Sequence, residues 1–185
     1  MARIVYSMMV ALDGYIAGPD GNIGLPVPEE ALHRHFNDMM EQTSIELCGR
    51  RMYEAMRFWD SPERETSASK IERDFARAWQ ETPKIVFSTT LREVGPNARL
   101  MNGDAENVAS ALKLEKDGYI SVAGAELAAH LARANLINEY RLYMHPVVLG
   151  GGKPYIQSGL SLRLMPLGTE SLAQGVTLLR YAPAA

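Results

Sequence analysis

The chain has 185 residues, of which 46% are apolar and 22% are charged, and its formal net charge is −3. This length suits a single domain with its own core, and this composition disfavours long disordered segments. The small negative charge disfavours nucleic acid as a partner, because nucleic-acid-binding proteins usually carry a strongly basic face. No apolar run reaches the roughly 20 residues that cross a bilayer, so we expect neither a membrane anchor nor a signal peptide. The lone cysteine, Cys48, cannot form an internal disulfide, which favours a cytoplasmic protein.

Runs of apolar and β-branched residues predict six strands. They span residues 3–10, 44–48, 84–88, 119–123, 140–149 and 176–181. Between the first five of these strands, apolar residues recur at helical spacing and predict four helices. These helices lie around residues 32–40, 71–79, 105–116 and 125–134.

Strands and helices alternate over the first three quarters of the chain, which is typical of βαβ units with parallel strands. After residue 140 the helical spacing disappears, and turn signals at residues 150–152 and at Gly159 separate strand-like runs. We therefore predict an α/β fold in one domain that covers residues 1–185. It has a mostly parallel central sheet, antiparallel C-terminal strands, and helices on both faces.

The first candidate binding element lies where the second predicted strand meets a short helix, at Gly49, Arg50, Arg51 and Met52. Free backbone N–H groups and the positive end of a helix dipole attract phosphate, and two arginines add charge-assisted hydrogen bonds. The alternative is that both arginines are solvated surface charges. Taken alone, the motif favours neither interpretation.

Two further strand ends carry similar elements. Ser88, Thr89 and Thr90 follow the third predicted strand, where hydroxyls can bind a ribose or a phosphate. Taken alone, this run favours the alternative, which is a turn or a helix cap. After the fourth strand, the small residues Ala123 and Gly124 let a ligand approach the backbone, and the next helix N-terminus points at it. The alternative there is close packing of helix on sheet.

All three elements follow parallel strands, whose carboxyl ends meet at the edge of the sheet where α/β proteins bind ligands. Together they predict a site for an elongated, phosphate-bearing ligand. The dinucleotide fingerprint G-x-G-x-x-G is absent from the sequence. The run from Gly152 to Pro154 fails the Walker pattern, because Val147 replaces its first glycine and Pro154 its serine or threonine. A standard Rossmann or P-loop domain is therefore disfavoured.

Metal binding and nucleophilic catalysis are also disfavoured. His33 and His35 are two residues apart, which places them on nearly opposite faces of a helix, and His130 and His145 have no partner at ligand spacing. We therefore predict no metal site. Cys48 lies in a predicted buried strand, so we expect an inert core residue, and the G-x-S-x-G motif of a nucleophilic serine is absent.

Several stretches of the sequence occur together, in the same order, in one known family. They read MVALDGYIA at residues 9–17, CGRRMYE at 48–54, KIVFSTTL at 84–91, VAGAELA at 122–128, NEYRL at 138–142 and PVVLGGGKP at 146–154. As a set they resemble the dihydrofolate-reductase-like family, in the branch related to the C-terminal reductase domain of bacterial riboflavin biosynthesis. The set is specific, although no single motif is.

The resemblance implies an NADPH-dependent reductase, usually a homodimer, that acts on a small pterin-like or pyrimidine-like heterocycle. In this family the strand-to-helix joint near the adenosine 2′-phosphate matches Gly49, Arg50, Arg51 and Met52. The residues implied near the adenosine ribose are Ser88 and Thr89. Those implied around the pyrophosphate and the nicotinamide are Ala123, Gly124, Ala125, Glu126 and Leu127. Those implied beside the nicotinamide and the substrate are Ala11, Asp13, Ile16 and Ala17.

Two positions depart from the family pattern. The family commonly has two glycines where this chain has Ala123 and Gly124, so the Ala123 methyl group could crowd the cofactor. Asn138 replaces an acidic residue before Glu139, and we interpret this change as structural.

The proton donor is the least defined part of this interpretation. The carboxylate of dihydrofolate reductase itself lies on the first helix, and Glu29, Glu30 and Asp38 are ordinary helix-surface candidates for that position. We take Asp13, beside Gly14, as the candidate catalytic residue, with an Asp-Gly turn as an equally good interpretation. The missing acid and the substitution at Ala123 favour a rival function, nucleotide binding without catalysis. A third alternative is an assembly role of the C-terminal strands without any ligand.

Overall fold

Ten strands and six α-helices make up the computed structural model, which describes residues 1–67 and 69–184. The strands are β1 Arg3–Ala11, β2 Tyr15–Ala17, β3 Thr43–Gly49, β4 Lys84–Phe87, β5 Ala98–Met101, β6 Tyr119–Ala123, β7 Glu139–His145, β8 Lys153–Pro154, β9 Leu164–Ser171 and β10 Thr177–Pro183. The helices are α1 Glu30–Glu41, α2 Arg50–Met56, α3 Pro62–Glu65, α4 Lys70–Glu81, α5 Ala105–Glu115 and α6 Ala125–Arg133, with short 3-10 helices at Arg57–Asp60 and Ala173–Gly175. No helix within these described ranges is long and apolar enough to cross a bilayer.

Eight strands form the central sheet, in the order β5-β4-β3-β6-β1-β7-β10-β9. The first six strands of this order run parallel, and β10 and β9 continue the sheet in antiparallel pairing. The remaining strands, β2 and β8, form a separate two-stranded ribbon. The predicted parallel sheet with antiparallel C-terminal strands is confirmed.

Helices cover both faces of the sheet, as predicted. On one face α5 and α6 pack against Ile4, Leu47 and Val122 of three neighbouring strands. On the other face α1, α2 and α4 pack against a second core that contains Cys48. Successive residues of a strand point to opposite faces, so Leu47 and Cys48 belong to different cores. Burial and the nearby Glu46 raise the pKa of the Cys48 thiol, which fits an inert core residue.

Some strands differ from the prediction. The strand predicted over residues 140–149 ends at His145, because Pro146 has no N–H for the ladder and three glycines with positive φ follow shortly after. Strands β2, β5, β8 and β9 were not predicted. β9 contains Pro166 and Gly168 and is almost entirely exposed, so it lacks the apolar alternation that indicates a strand. Proline is tolerated in β9 because this strand is the edge of the sheet.

At the carboxyl edge of the sheet, β1 extends past its neighbour β6. The pairing of β1 with β6 ends at Tyr6 opposite Val122, whereas the pairing with β7 continues to Ala11 opposite His145. At about 3.3 Å per residue, the end of β1 projects roughly 13 Å beyond β6. We use the term sheet notch for the step that this leaves between the ends of β6 and β1.

Candidate functional site

The carboxyl ends of the parallel strands bring the three predicted binding elements to one edge of the sheet. Gly49 at the end of β3 lies opposite Phe87 at the end of β4, and Cys48 lies opposite Ala123 at the end of β6. The segments after β4, β3 and β6 are therefore neighbours in that order. We use the term carboxyl rim for residues 88–91, 49–52 and 123–127, continued after β1 and β7 by residues 12–14 and 146–153.

An open space lies in front of Gly49. Its φ of −81° is ordinary, and a methyl group added to it would have no heavy atom beyond its chain neighbours within 4 Å. The next residue, Arg50, begins α2, and no side chain caps the free N–H groups of that helix. The rim therefore presents unpaired backbone donors to an open space, which is the arrangement that binds phosphate in proteins.

The two arginines of the rim differ in their partners. Nη1 of Arg50 lies 3.1 Å from a carboxylate oxygen of Glu54, and the two side chains are 41% and 43% exposed. An exposed pair of this kind is weak, so a phosphate can displace the carboxylate. The side chain of Arg51 is exposed and makes no hydrogen bond or ion pair with any residue in the described part of the chain. Its positive charge is therefore available to a ligand.

The start of α6 forms the next part of the rim. Gly124, with a φ of +107°, precedes the helix, and no side chain caps the first N–H groups. Nζ of Lys153 donates a hydrogen bond of 2.8 Å to Oε1 of Glu126. This bond and the Lys153 charge lower the pKa of the Glu126 carboxyl, with smaller contributions from Arg51 and Arg50. Three positive side chains therefore lie around this helix start.

Lys153 is a rim residue that the sequence analysis did not identify. Pairing of β8 with β2 places Lys153 opposite Ala17. The preceding Gly152 makes this approach feasible, because a methyl group on it would lie 2.1 Å from the carbonyl oxygen of Ala17. The three consecutive glycines before Lys153 were a signal for such a close approach of two backbones.

Of the hydroxyl residues after β4, Ser88 takes part in a turn and Thr89 lies at the surface. Oγ of Ser88 accepts hydrogen bonds from the backbone N–H groups of Thr90 and Leu91, at 3.1 and 3.0 Å. The Ser88 hydroxyl therefore forms the turn that was the alternative interpretation, and its Oγ also lies 3.4 Å from Oγ1 of Thr90. Thr89 is exposed at the rim. A ligand at this position would contact Thr89 more readily than Ser88.

Asp13 lies in a tight turn at the end of β1. The N–H of Gly14 donates to the carbonyl oxygen of Ala11 at 2.9 Å, and Gly14 has a φ of +86°. Oδ2 of Asp13 accepts the backbone N–H groups of Leu149 and Gly150, at 3.1 and 2.7 Å. The carboxylate thus fastens the loop after β7 to the end of β1, which agrees with the turn interpretation of this residue.

Several predicted site residues are buried and can offer only their backbone to a ligand. Ala11, Ala123 and Ala125 are no more than 6% exposed, and Ile16 and Leu127 no more than 9%. The predicted site residues that are half-buried on the ribbon or the rim are Ala17, Met52 and Gly124. The rim therefore has buried apolar side chains at its base and presents backbone donors and positive side chains at its surface.

Comparison with known proteins places this arrangement in a family. The family model described as the RibD C-terminal domain matches residues 2–178, nearly the whole chain. The chain belongs to the RibD C-terminal domain family. Among relatives of known sequence, the uncharacterized protein YyaP of Bacillus subtilis (strain 168) is 28% identical over 182 residues, which cover 97% of this chain and 94% of YyaP.

Solved structures establish that this RibD C-terminal domain has the dihydrofolate-reductase-like fold. A riboflavin biosynthesis protein from Shewanella sp. PV-4 matches with a TM-score of 0.76 at 22% identity, with full coverage of both chains. The Thermotoga maritima deaminase and reductase matches with a TM-score of 0.64 at 14% identity. The match covers 99% of this chain and 57% of that one. Dihydrofolate reductase from Enterococcus faecalis, complexed with NADP(H), also matches at 0.64, with 15% identity over 99% of this chain and 97% of that one.

Proposed function

We propose that the protein is an NADPH-dependent reductase that transfers a hydride to a small heterocycle of the pterin or pyrimidine type. The observation that carries this proposal is the carboxyl rim, where two uncapped helix starts lie beside Arg50, Arg51 and Lys153. Two neighbours in fold support it, since the E. faecalis protein was solved with NADP(H) and the T. maritima protein is named as a reductase.

The rim residues fit the phosphates of such a dinucleotide. The open space at Gly49 admits a phosphate, and Arg50 and Arg51 would bind the 2′-phosphate that distinguishes NADPH from NADH. The N–H groups at the start of α6, together with Lys153, would bind the pyrophosphate. Neighbouring strands are about 4.8 Å apart, so the segments after β4, β3 and β6 extend over roughly 10 Å and suit an elongated ligand.

The segments after β4, β3 and β6 form a row, and the sheet notch lies next to the last of them, between β6 and β1. When bound, NADPH supplies a hydride from its nicotinamide ring. Ala123 and Ala11 border the notch with small, buried side chains, so their backbone would position the ring against a substrate near the end of β7. Such a reaction needs orientation of two bound molecules rather than a protein nucleophile.

Asp13 supports the site in this proposal by fastening a loop. Its Oδ2 accepts two backbone N–H groups of residues 149–150, so the carboxylate is engaged in holding the loop after β7. The carboxylates of α1 are exposed, and that of Glu30 pairs with Arg34 at 2.7 Å. The proton of the reduction must then come from water or from another group near the substrate.

Nucleotide binding without catalysis is the second candidate function. It is favoured by the engagement of the acidic residues on the described part of the rim, where Asp13 binds a loop and Glu126 binds Lys153. Turnover separates the two functions. Binding of NADPH without reduction of dihydrofolate or of an aminopyrimidine would favour the second.

Isothermal titration calorimetry with NADPH and NADH tests the proposed cofactor. We expect NADPH to bind about 10-fold more tightly, and Arg51→Ala to remove most of this preference, because one charge-assisted phosphate contact contributes on the order of 1.5 kcal/mol. Arg133→Ala, which removes an exposed charge at the far end of α6, is the matched control and should leave the preference unchanged. Equal affinities for the two dinucleotides would contradict the assignment of the arginines.

A further inference from the structure

Positive side chains occupy only one half of the carboxyl edge of the sheet. Arg50 and Arg51 begin the helix that follows β3, and Nζ of Lys153 is bonded to Glu126 at the start of α6. These residues lie on the β3 and β6 side of the sheet notch, where the proposed function places the phosphates of the dinucleotide. Their charge matches those phosphates.

The half of this edge beyond the notch has the opposite charge. It consists of the segments between β1 and α1, between β7 and β8, and between β9 and β10, which are residues 12–29, 146–152 and 172–176. We use the term acidic side for these segments. They contain no lysine or arginine, and their charged residues, all exposed, are Asp13, Asp20 and Glu29. A phosphate bound there would meet like charges without a cation to offset them.

Helix α1, which follows the first of these segments, adds no net positive charge. It contains three acidic residues, Glu30, Asp38 and Glu41, and a single arginine. That arginine, Arg34, is paired with Glu30, whose Oε1 lies 2.7 Å from its Nη2, and both side chains are exposed. The helix therefore does not supply the cation that the acidic side lacks.

Hydrogen bonds join the three segments of the acidic side into one surface. The N–H of Leu12 donates to the carbonyl oxygen of Val147 at 2.7 Å. Gln174 joins the other two segments, because its Oε1 accepts the N–H of Glu29 at 2.7 Å and its Nε2 donates to the carbonyl oxygen of Val27 at 3.2 Å. The loops after β1 and β7 and the turn before β10 therefore present a common surface to a ligand.

This surface exposes large apolar side chains. Leu12 and Val148, which follow the neighbouring strands β1 and β7, are 64% and 66% exposed, and Ile23 and Val27 are 49% and 83% exposed. We use the term apolar lip for these four residues. Grouped apolar side chains that remain in water indicate a surface that contacts an apolar part of a ligand or partner.

We propose that the substrate carries no phosphate and that an uncharged, partly apolar substituent of its ring contacts the apolar lip. This inference rests on the proposed reductase function and names the substrate class of its site. The lip lies at the ends of β1 and β7, beside the notch where the ring of the substrate would meet the nicotinamide. The T. maritima neighbour is named as a reductase of 5-amino-6-(5-phosphoribosylamino)uracil, so the two proteins would differ in specificity.

Two pairs of probes that differ only in a phosphate test this inference. One pair is 5-amino-6-(5-phosphoribosylamino)uracil and its dephosphorylated form, and the other is dihydroneopterin phosphate and dihydroneopterin. Calorimetry uses wild-type protein saturated with NADP⁺, so that no hydride is transferred. In at least one pair we expect the unphosphorylated probe to bind about 10-fold more tightly, because the phosphate is repelled by three carboxylates. The difference should shrink in about 0.5 M salt, which screens exposed charges.

Variants of Val148 separate charge from apolar contact. Val148→Lys should raise the affinity of the phosphorylated probe about 10-fold by supplying the missing cation, whereas Val148→Gln, of similar length but neutral, should not. Both variants should weaken binding of the unphosphorylated probe, because both remove the apolar contact. The side chain is exposed, so both should remain folded. Leu114→Lys, at a 70% exposed position of α5, is the control and should change neither affinity.

The inference is wrong if the unphosphorylated probe binds no more tightly in either pair, or if no probe binds the NADP⁺ complex. Tighter binding of a phosphorylated probe that is lost in Arg57→Ala, at an exposed position after α2, would place the substrate phosphate there and overturn the inference. Failure of NADPH to bind the wild-type protein would instead contradict the proposed reductase function.

Discussion

Gly49 and Gly152 lie at the same edge of the sheet but in opposite surroundings. A methyl group on Gly49 would enter open space, whereas one on Gly152 would lie 2.1 Å from the backbone oxygen of Ala17. Gly49 has an ordinary φ, and Gly152 has a φ of +120° that disfavours other residues. The first glycine therefore leaves room for a ligand, and the second lets two loops approach each other.

These surroundings predict different effects of the same substitution. Gly49→Ala should lower the free energy of unfolding by no more than about 1 kcal/mol, the usual cost of alanine at a helix N-cap, but weaken NADPH binding about 10-fold. Gly152→Ala should cost more than about 2 kcal/mol in urea denaturation. Unchanged NADPH affinity in Gly49→Ala would show that the space is not used by the dinucleotide.

Glu46 makes stability depend on pH. Burial raises the pKa of its carboxyl to about 7, although the Ser121 hydroxyl and the Lys84 ammonium oppose this change. The folded pKa lies above the unfolded value of 4.5, so the folded protein loses stability as pH rises from 4.5 to 7, on the order of 3 kcal/mol in total.

Glu46→Gln should therefore remove most of the loss of stability between pH 5 and pH 8, because the amide does not ionise. Urea denaturation at the two pH values measures the difference, and Glu115→Gln, at an exposed position of α5, serves as the control. A variant with the pH dependence of wild type would mean that the Glu46 carboxyl is already ionised in the folded protein at pH 5.

The residues of the rim were predictable in part. Gly49, Arg50 and Gly124 follow strands directly, so local pattern and the geometry of parallel sheets were sufficient to place them together. Lys153 was not identified, because its partners Glu126 and Ala17 lie far away in the sequence. Asn138 was interpreted as structural, and it exchanges two hydrogen bonds with the backbone of Ile4.

At the scale of elements, the sequence predicts the helices and strands whose own apolar residues recur with a regular period. Helices α4 and α6 and strands β1, β3, β4 and β6 have clear periodicity and appear within a few residues of the predicted bounds. Strands β5 and β9 do not, because each is an edge strand with a single neighbour and few buried side chains. The short ribbon of β2 and β8 depends on pairing between segments more than 130 residues apart, which no local pattern records.

We propose that strand β9 would form the interface of the homodimer that the family resemblance implies. Met165 and Leu167 are 50% and 44% exposed on it. A long, exposed edge strand presents unpaired N–H and C=O groups to another strand. Pairing with β9 of a second copy would satisfy these groups and cover the apolar side chains.

A charge on β9 should therefore prevent dimerisation. We expect Leu167→Lys to elute as a monomer in size-exclusion chromatography with light scattering. The variant should remain folded. Leu114→Lys, at a 70% exposed position of α5, is the control and should remain dimeric. A wild-type protein that is monomeric at all concentrations would contradict the assignment of β9.

For the whole molecule, Glu139 connects three strands of the sheet. Its Oε1 accepts hydrogen bonds of 2.7 Å from Arg141 of β7 and Arg180 of β10, and Arg3 of β1 lies at 3.2 Å from Oε2. Desolvation alone would raise the pKa of the Glu139 carboxyl, but the hydrogen bonds from Arg180 and Arg141 outweigh it, so the pKa falls below 4.5. This contribution to stability is present above pH 4.5 and is lost as pH falls through the folded pKa.

Glu139→Gln should consequently destabilise the protein at pH 7, by about 1–3 kcal/mol, because Arg141 loses its carboxylate partner, whereas Arg3 and Arg180 are partly exposed to water. Its stability should also fall less steeply than that of wild type below pH 4. Denaturation curves at pH 3.5, 5 and 7 measure both effects. A loss below about 1 kcal/mol at pH 7 would show that the arginines find other partners.

The order of the strands in the sheet could not be predicted from the sequence. Alternation of strands and helices predicted parallel pairing, but not that β6 lies between β3 and β1 or that β1 extends past it. These features depend on long-range pairing, and they create the sheet notch.

A crystal structure of the protein grown with NADPH is the most direct test of the central claim. We predict that the dinucleotide lies along the carboxyl rim, with its 2′-phosphate at Arg50 and Arg51, its pyrophosphate at the start of α6, and its nicotinamide in the sheet notch. Density for the dinucleotide elsewhere on the molecule, with the rim empty at saturating NADPH, would contradict it.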